Sequence, residues 1–269
     1  MPSSRAGLGR GTLVVVATPL GNLGDMTPRA VDALRGADLI AAEDTRHTGR
    51  LLAHFGLRKP QVSCHRFNEA RTTERVLGAL AAGRTVALVT DGGTPAVSDP
   101  GYRLVATAHD RGHHVLPIPG PCALAAALSV SGFPADRFFF AGFLPARKVA
   151  RRKEAARLAA VPDTLVLYEA PHRLRECLED LVAAFGDRAA VLCRELTKLH
   201  EEVRRASLPG LLAEITTRGE VLGEIVLVVA GRPPGGADSI ATPDPGLARS
   251  WRDALEAEDR DPRRAMRRL

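Results

Sequence analysis

The chain has 269 residues, of which 45% are hydrophobic and 25% charged, as in an ordinary globular protein. No apolar run approaches the ~20 residues that span a bilayer, and residues 1–10 lack the apolar core of a secretory signal. We therefore expect a cytoplasmic protein without a membrane span. The formal net charge of +6 and the isoelectric point near 9.6 are compatible with a nucleic-acid partner but do not require one.

Strand-like and helix-like segments alternate through the first half of the chain. Short apolar strands rich in β-branched residues are predicted at residues 12–17, 39–42, 61–65, 85–89 and 114–118. Helices are predicted at residues 28–35, 45–55, 68–82 and 102–111. The first of these helices has a favourable N-cap in Thr27, a first-turn proline in Pro28 and a stop signal in Gly36.

The densest group of helix and strand breakers lies at residues 117–121, and we place a domain boundary there. Beyond it, helices are predicted at residues 122–131, 148–160, 173–185 and 208–217. Strands are predicted at residues 138–141, 164–168, 190–194, 200–206 and 223–230. The sequence thus predicts an α/β fold with an N-terminal domain (11–119) and a C-terminal domain (120–231). A Pro- and Arg-rich tail (232–269) follows, for which we expect disorder apart from a short helix at 247–257.

The four cysteines give no sign of a metal site. Cys64, Cys122, Cys177 and Cys193 form no C-x-x-C pair and fit no zinc-binding spacing. We expect four reduced, partly buried thiols and no metal.

Ligands of open α/β sheets bind beyond the carboxyl ends of strands, so the informative loops are those that follow strands. After the strand at 85–89, the adjacent glycines Gly92 and Gly93 would let the backbone approach a ligand closely, although a simple tight turn is the favoured explanation for the loop taken alone. Neither the G-x-G-x-x-G dinucleotide pattern nor a P-loop is present, so nucleotide hydrolysis has no support.

The loop after the second strand brings charged side chains to the end of a buried element. Glu43, Asp44, Arg46 and His47 follow each other closely there, which is costly unless the groups pair or take part in chemistry. The structural alternative is that Asp44 caps the next helix and pairs with Arg46.

Six segments in fixed order carry a family resemblance. They are T-P-L-G-N-L-G-D (18–25), A-A-E-D-T-R-H-T-G (41–49), D-G-G-T-P-A-V-S-D-P-G (91–101), P-G-P-C-A (119–123), Y-E-A-P-H-R (168–173) and R-E-L-T-K-L-H-E-E (194–202). Together they resemble the tetrapyrrole methylase superfamily, and within it the bacterial ribosomal RNA small subunit methyltransferase I family. The E-D-T-R-H-T-G segment separates the chain from the corrin and sirohaem methylases, which share the glycine-rich loop.

The resemblance implies a two-domain class III methyltransferase, usually a homodimer, with S-adenosylmethionine in the cleft between the domains. It implies methylation of a cytidine 2′-oxygen in the decoding region of 16S ribosomal RNA within the 30S subunit. By position, the implied cofactor-binding residues are Asp91, Gly92, Gly93, Thr94, Val97, Pro121, Cys122, Ala123, Tyr168, Leu196, Glu224 and Ile225. Two departures are the Gly92–Gly93 pair, where relatives commonly have Ala–Gly, and the region after Gly231, which does not resemble the family's helical C-terminal segment.

Transfer of a methyl group to a ribose hydroxyl benefits from a general base, since the hydroxyl is a weak acid. The candidates for that base are Asp44, His47 and Glu43, in no fixed order. Arg46 could hold an RNA phosphate, and the basic helix supplies further predicted RNA contacts. These are Arg147, Lys148, Arg151, Arg152 and Lys153. Two alternatives stay open, a tetrapyrrole methyltransferase of the same fold and a non-catalytic RNA-binding or ribosome-assembly protein.

Overall fold

A computed structural model describes residues 11–233, which form ten strands and eight α-helices. The strands are β1 (Thr12–Val16), β2 (Leu39–Ala42), β3 (Gln61–Ser63), β4 (Val86–Val89), β5 (His114–Ile118), β6 (Phe138–Phe143), β7 (Thr164–Glu169), β8 (Ala189–Arg194), β9 (Glu202–Ser207) and β10 (Ile225–Val229). The helices are α1 (Pro28–Gly36), α2 (Thr45–His54), α3 (Glu69–Ala81), α4 (Tyr102–Asp110), α5 (Ala123–Ser131), α6 (Lys148–Leu158), α7 (Leu174–Phe185) and α8 (Leu208–Arg218). Each confirms an element predicted from the sequence, while the helix predicted at 247–257 lies outside the described residues.

The first sheet has five parallel strands in the order β3-β2-β4-β1-β5. Helices cover both faces of its central strands. Successive side chains of a strand point to opposite faces, so each central strand buries side chains on both sides. Val14 of β1 packs in the cluster formed with α1 and α2, whereas Leu13 packs in the cluster formed with α3 and α4. The uniformly apolar strands of the sequence are explained by this double covering.

The second sheet has the order β6-β7-β10-β8-β9 and is mixed. The pair β6 and β7 is parallel, and the other three pairs are antiparallel. Leu165 and Leu167 of β7 face a core shared with α6, α7 and α8, while Val166 between them faces α5. The second sheet is therefore also covered on both faces, by α5 on one side and by α6, α7 and α8 on the other.

Local signals in the sequence fix several helix starts. Thr27 Oγ1 accepts a hydrogen bond of 3.1 Å from Ala30 N, and Pro28 occupies the first turn of α1. Ser207 caps α8 in the same way, through a bond of 3.3 Å from Gly210 N. These caps therefore fix the residue at which each helix begins.

Residues 11–230 belong to one compact unit that contains both sheets. The predicted boundary at 119/120 falls between the last strand of the first sheet and α5, and the division into two domains stays a prediction. Among residues 11–233, no helix combines the length and apolar character needed to cross a bilayer.

Candidate active site

The loops that follow β1, β2 and β4 are joined to each other by hydrogen bonds. Thr18 and Gly93 exchange two backbone bonds of 2.9 Å, so the first loop is held against the glycine pair. Asp44 N donates to Asp91 Oδ1 at 3.1 Å, and Asp91 N donates to Glu43 Oε2 at 3.4 Å. The carboxyl ends of three parallel strands are thereby built into one rigid edge, the place where α/β sheets bind ligands.

A first cavity of about 310 Å³ opens between this edge and the loops of the second sheet. It is lined by Leu20, Gly92, Gly93, Thr94, Val97, Asp99, Cys122, Ala123, Phe143, Tyr168, Glu169, Ala170, Pro171, Leu196, Gly223, Glu224, Ile225 and Val226. Ten of the twelve residues implied for cofactor binding are in this set. Of the other two, Asp91 faces the neighbouring second cavity, and Pro121 accepts a hydrogen bond of 3.0 Å from Thr94 Oγ1 through its carbonyl oxygen.

The glycine pair lies in a tight turn whose backbone lines the first cavity, and its approach to a ligand stays a prediction. Gly93 has φ +87°, a conformation that favours glycine. A Cβ atom added to Gly92 would lie 3.2 Å from the carbonyl oxygen of Pro19. A side chain on Gly92 would therefore crowd the loop after β1, and the glycine backbone itself forms part of the wall of the first cavity.

Tyr168 closes the far side of the first cavity and ties β7 to α5. Its hydroxyl oxygen accepts a hydrogen bond of 3.1 Å from Leu124 N, and the edges of Phe140 and Phe143 approach its ring at centroid distances of 5.0 and 5.7 Å. Burial raises the pKa of Tyr168 to about 12. The side chain therefore stays neutral and acts as a rigid wall.

A second cavity, of about 800 Å³, adjoins the first and has a more polar lining. It is lined by Thr18, Pro19, Leu20, Gly21, Leu23, Glu43, His47, Arg50, Leu51, His54, Asp91, Gly92, Asp99, Lys198 and Glu224. Two of the three predicted catalytic side chains, Glu43 and His47, are part of this lining. The pKa of Glu43 is raised, mainly by burial.

Asp44 does not line either cavity. Its side chain caps α2 by accepting a bond of 2.8 Å from Arg46 N, and it pairs with Arg46 Nη2 at 3.0 Å. The hydrogen bonds from Arg46 lower the pKa of Asp44 to about 2. This is the structural role that the sequence offered as the alternative to catalysis.

Asp99 is a site residue that the sequence reasoning missed. It lies in the D-G-G-T-P-A-V-S-D-P-G segment, eight residues after Asp91, and it lines both cavities. Burial, together with the nearby carboxylates of Glu43 and Asp91, raises the pKa of Asp99 to about 7. The available signal was a second carboxylate in the same strand-end loop.

The basic helix α6 is anchored by one of its own arginines. The Arg151 side chain is 1% exposed, and its Nε and Nη2 bond Asp180 and Glu176 at 2.8 and 2.9 Å. Arg151 therefore packs α6 against α7, which removes it from the predicted RNA-binding set. Arg147, Lys148, Arg152 and Lys153 are exposed on the same segment. Within residues 11–233, no three His, Cys, Asp or Glu side chains are grouped so as to hold a metal ion.

Solved structures of two methyltransferases and one synthase share this architecture. Cobalt precorrin-4 methyltransferase superposes with a TM-score of 0.62 at 16% identity, over 86% of this chain and 97% of its own. Uroporphyrin-III C-methyltransferase from Thermus thermophilus gives 0.57 at 23% identity, over 83% and 95%. Diphthine synthase gives 0.59 at 20% identity, over 81% and 90%. These likenesses show that the chain has the same fold as these enzymes.

Sequence similarity identifies the family to which the chain belongs. The sequence model of the Tetrapyrrole (Corrin/Porphyrin) Methylases matches residues 12–212. The chain is 51% identical over 223 residues to ribosomal RNA small subunit methyltransferase I of Xylella fastidiosa, which covers 82% of each chain. It is 48% identical over 224 residues to the protein of the same name from Escherichia coli O157:H7, covering 82% of this chain and 78% of that one. The chain therefore belongs to the tetrapyrrole methylase family, and within it to the ribosomal RNA small subunit methyltransferase I family.

Proposed function

We propose that this protein transfers a methyl group from S-adenosylmethionine to the 2′-hydroxyl of a cytidine ribose in the decoding region of 16S ribosomal RNA. The observation that carries the proposal is a pair of adjacent cavities with different linings, in a chain about half identical to ribosomal RNA small subunit methyltransferase I proteins. One cavity suits the methyl donor and the other suits the ribose. We expect the reaction to take place in the cytoplasm, where the small subunit is assembled.

The first cavity fits the methyl donor, which supplies a methyl group on a positively charged sulfur. Its walls are mainly apolar side chains and glycine backbone, and cofactor pockets of ~300–1,000 Å³ are usually built in this way. Asp99, Glu169 and Glu224 add carboxylates that complement a cation. The residues that we expect to hold the donor are those implied by the resemblance, from Gly92, Gly93 and Thr94 across to Tyr168 and Ile225.

The second cavity fits a ribose with its phosphates. Arg50, His47, His54 and Lys198 can donate hydrogen bonds to phosphate or hydroxyl oxygens there. Arg46, the chain neighbour of the lining residue His47, is 89% exposed and can contact a neighbouring phosphate. Positioning does most of the work in such a transfer, because the hydroxyl oxygen must approach in line with the sulfur–methyl bond.

RNA outside the target nucleotide is expected to lie along basic surface. On the segment around α6, Arg147, Lys148, Arg152 and Lys153 are exposed and can neutralise phosphates. Phe67, four residues after the end of β3, is 94% exposed and offers one aromatic face for stacking on an unpaired base. Such contacts favour RNA over a compact tetrapyrrole as the acceptor.

The test is methyl transfer from labelled S-adenosylmethionine to three substrates, which are 30S particles lacking ribose methylation, naked 16S RNA and a precorrin-type tetrapyrrole. We expect label in the 30S particles or the RNA, recovered as 2′-O-methylcytidine after nuclease digestion. Label in the tetrapyrrole alone would support the same fold acting on a small substrate. Donor binding without any transfer to RNA would support a non-catalytic binding protein.

We further propose that the protein is a homodimer. β6 is an edge strand of the second sheet, and Phe138, Phe139 and Phe143 of this strand are 43, 37 and 52% exposed. Val130 of α5 is also 51% exposed. Apolar side chains concentrated along one edge are typical of an interface between subunits. Light scattering should give twice the chain mass, and a monomer at micromolar concentration would contradict the proposal.

A further inference from the structure

We propose that two exposed aromatic rings, those of Phe67 and Tyr102, stack on unpaired bases next to the target nucleotide and so position the RNA strand at the second cavity. This inference rests on the proposed function, and it deepens that function by naming how a single strand is held beside the site. Together with Arg66 and Arg103, the two rings form what we call the stacking surface.

Phe67 and Tyr102 are the most exposed phenylalanine and tyrosine side chains described in residues 11–233. Their exposed fractions are 94 and 77%, whereas the next in order, Phe143, is 52% exposed. A single apolar side chain at the surface is ordinary, but two rings left in water at one place indicate a binding surface. The question is therefore whether the fold brings these two rings together.

Glu69 joins the two segments that carry the rings. Its Oε1 atom accepts hydrogen bonds from Gly101 N at 3.0 Å and from Arg103 N at 3.1 Å, the residues on either side of Tyr102. Phe67 precedes Glu69 by two residues, and Tyr102 is the first residue of α4. The first turns of α3 and α4 are thus fixed to each other, with one ring at each.

The loop that carries Phe67 is held by several hydrogen bonds. Asn68 Oδ1 accepts a bond of 2.8 Å from His65 N, and Asn68 Nδ2 donates one of 3.1 Å to Ser63 O. Phe67 N donates to His65 Nδ1 at 3.2 Å, and the two rings meet edge to face with their centroids 6.1 Å apart. A loop that is already ordered loses little conformational freedom when a base stacks on its ring, which favours binding.

The stacking surface borders the second cavity. β3 pairs in parallel with β2, and Cys64 N continues the pairing with a bond of 2.7 Å to Ala42 O. The loops after these strands therefore leave the same edge of the sheet, with starting points roughly 4.8 Å apart. Burial raises the pKa of Glu43, which lines the second cavity, and the nearby positive charges of Arg66 and His65 act in the opposite direction. A nucleotide bound in the cavity thus has its neighbour within reach of the stacking surface.

The chemistry of the stacking surface suits a single strand of RNA. Arg66 and Arg103 are exposed beside the rings and can neutralise phosphates or stack on bases. Aromatic faces combined with basic side chains are a usual means of holding unpaired nucleotides, since every base has a face that can stack. Bases within a duplex are already stacked on both faces, so this surface selects unpaired ones.

The first test measures binding of a decoding-region fragment of 16S RNA that carries the fluorescent base 2-aminopurine on the 5′ or on the 3′ side of the target cytidine. Stacking on an aromatic ring quenches this fluorescence, and we expect the wild type to quench at least one of the two probes. Phe67→Ala and Tyr102→Ala should each weaken binding roughly 5- to 150-fold, the usual contribution of one stacked base, and the double variant should lose the quenching.

Conservative variants separate stacking from folding. Phe67→Tyr and Tyr102→Phe keep an aromatic face and should bind and quench as the wild type does. His109→Ala removes an exposed ring from the last turn of α4 and is the matched control with no expected effect.

Methyl-transfer kinetics separate holding of the strand from the chemical step. The Ala variants should raise KM for RNA by about the factor by which binding is weakened, and kcat should stay within about threefold of wild type, because the rings bind substrate and transition state alike. Calorimetry should show an unchanged affinity for S-adenosylmethionine in both variants.

Wild-type affinity and quenching in the double Ala variant would overturn the inference, as would a loss of kcat with unchanged KM. A double variant that becomes monomeric in light scattering and keeps its RNA affinity would also overturn it, because the rings would then form a contact between subunits. Binding and quenching need no turnover. A wild-type protein that quenches the probe and methylates no RNA would therefore overturn the proposed function and leave the stacking surface standing.

Discussion

At the scale of single residues, Arg151 and Asp180 form the most deeply buried ion pair described in residues 11–233. Their side chains are 1 and 2% exposed, and Asp180 also bonds the exposed Arg152 at 2.7 Å. Arg151 holds the pKa of Asp180 below its ordinary value together with Arg152, against the opposing effect of burial. Removing one partner would leave a buried charge without compensation.

We predict that Arg151→Ala lowers the free energy of unfolding by roughly 3–5 kcal/mol, as expected when a buried pair is broken. Arg152→Ala removes a contact to the same carboxylate from a side chain that is 60% exposed, and it should cost less than about 1 kcal/mol. Urea unfolding of the two variants measures the difference. Equal losses would show that the burial of Arg151 does not govern the stability of this pair.

The raised pKa of Asp99 also has a consequence for stability. A carboxyl whose pKa is higher in the folded than in the unfolded chain stabilises the fold at low pH, and this contribution is lost as the pH rises from about 4 to above 7. Asp99→Asn removes the ionised carboxylate that destabilises the fold above about pH 7. The variant should therefore be more stable than wild type at about pH 8. After solvent screening we expect a gain of about 1 kcal/mol in the free energy of unfolding, or 2–4 °C in Tm. At about pH 4 the two proteins should differ little. A variant less stable than wild type at the higher pH would contradict this.

At the scale of secondary structure, the order, type and approximate ends of the elements in residues 11–233 were predictable. Short apolar strands, glycine stops and caps such as Thr27 are local signals, and local sequence carries them. The covering of both faces of β1 by different helices follows from the same apolar pattern. The antiparallel pairing of β10 with β7 and β8 was not predictable, because register and direction depend on segments distant in sequence.

Among these local signals, the Thr27 cap can be tested directly. Thr27→Ala removes the acceptor for Ala30 N and should destabilise the protein by about 1 kcal/mol. Thr27→Ser keeps a hydroxyl oxygen at the same place and should lose less than half of that amount. Thermal unfolding monitored by circular dichroism distinguishes the two variants, and an Ala variant as stable as the Ser variant would show that the cap contributes nothing.

At the scale of the whole molecule, the site arises from loops of both sheets, and this explains what the sequence could not provide. Lys198 from the second sheet lies so close to Gly21 of the first that an added Cβ would be 2.3 Å from its Cγ atom. The family resemblance identified most of the residues around the first cavity. Neither periodicity nor motif spacing indicated that Asp99 lies at the wall shared by two cavities, because that position depends on packing between the sheets.

RNA binding should depend on salt through the exposed basic residues around α6. Replacing Arg147, Lys148 and Lys153 by Gln should weaken binding of a 16S fragment. The slope of log affinity against log salt should fall by about 0.7–0.9 for each phosphate that the variant no longer neutralises. Arg35→Gln, on α1 of the first sheet, is an exposed matched control with no expected effect on the slope. Filter binding across a salt series measures both, and an unchanged slope in the triple variant would place the RNA elsewhere.

The most direct test of the central claim is nucleoside mass spectrometry of 16S RNA from a bacterial strain that lacks its own cytidine ribose methyltransferase. Cells that express this protein should regain 2′-O-methylcytidine in the decoding region, and cells that carry the empty vector should not. Absence of the modification with folded, donor-binding wild-type protein would contradict the account of this chain as a ribose methyltransferase.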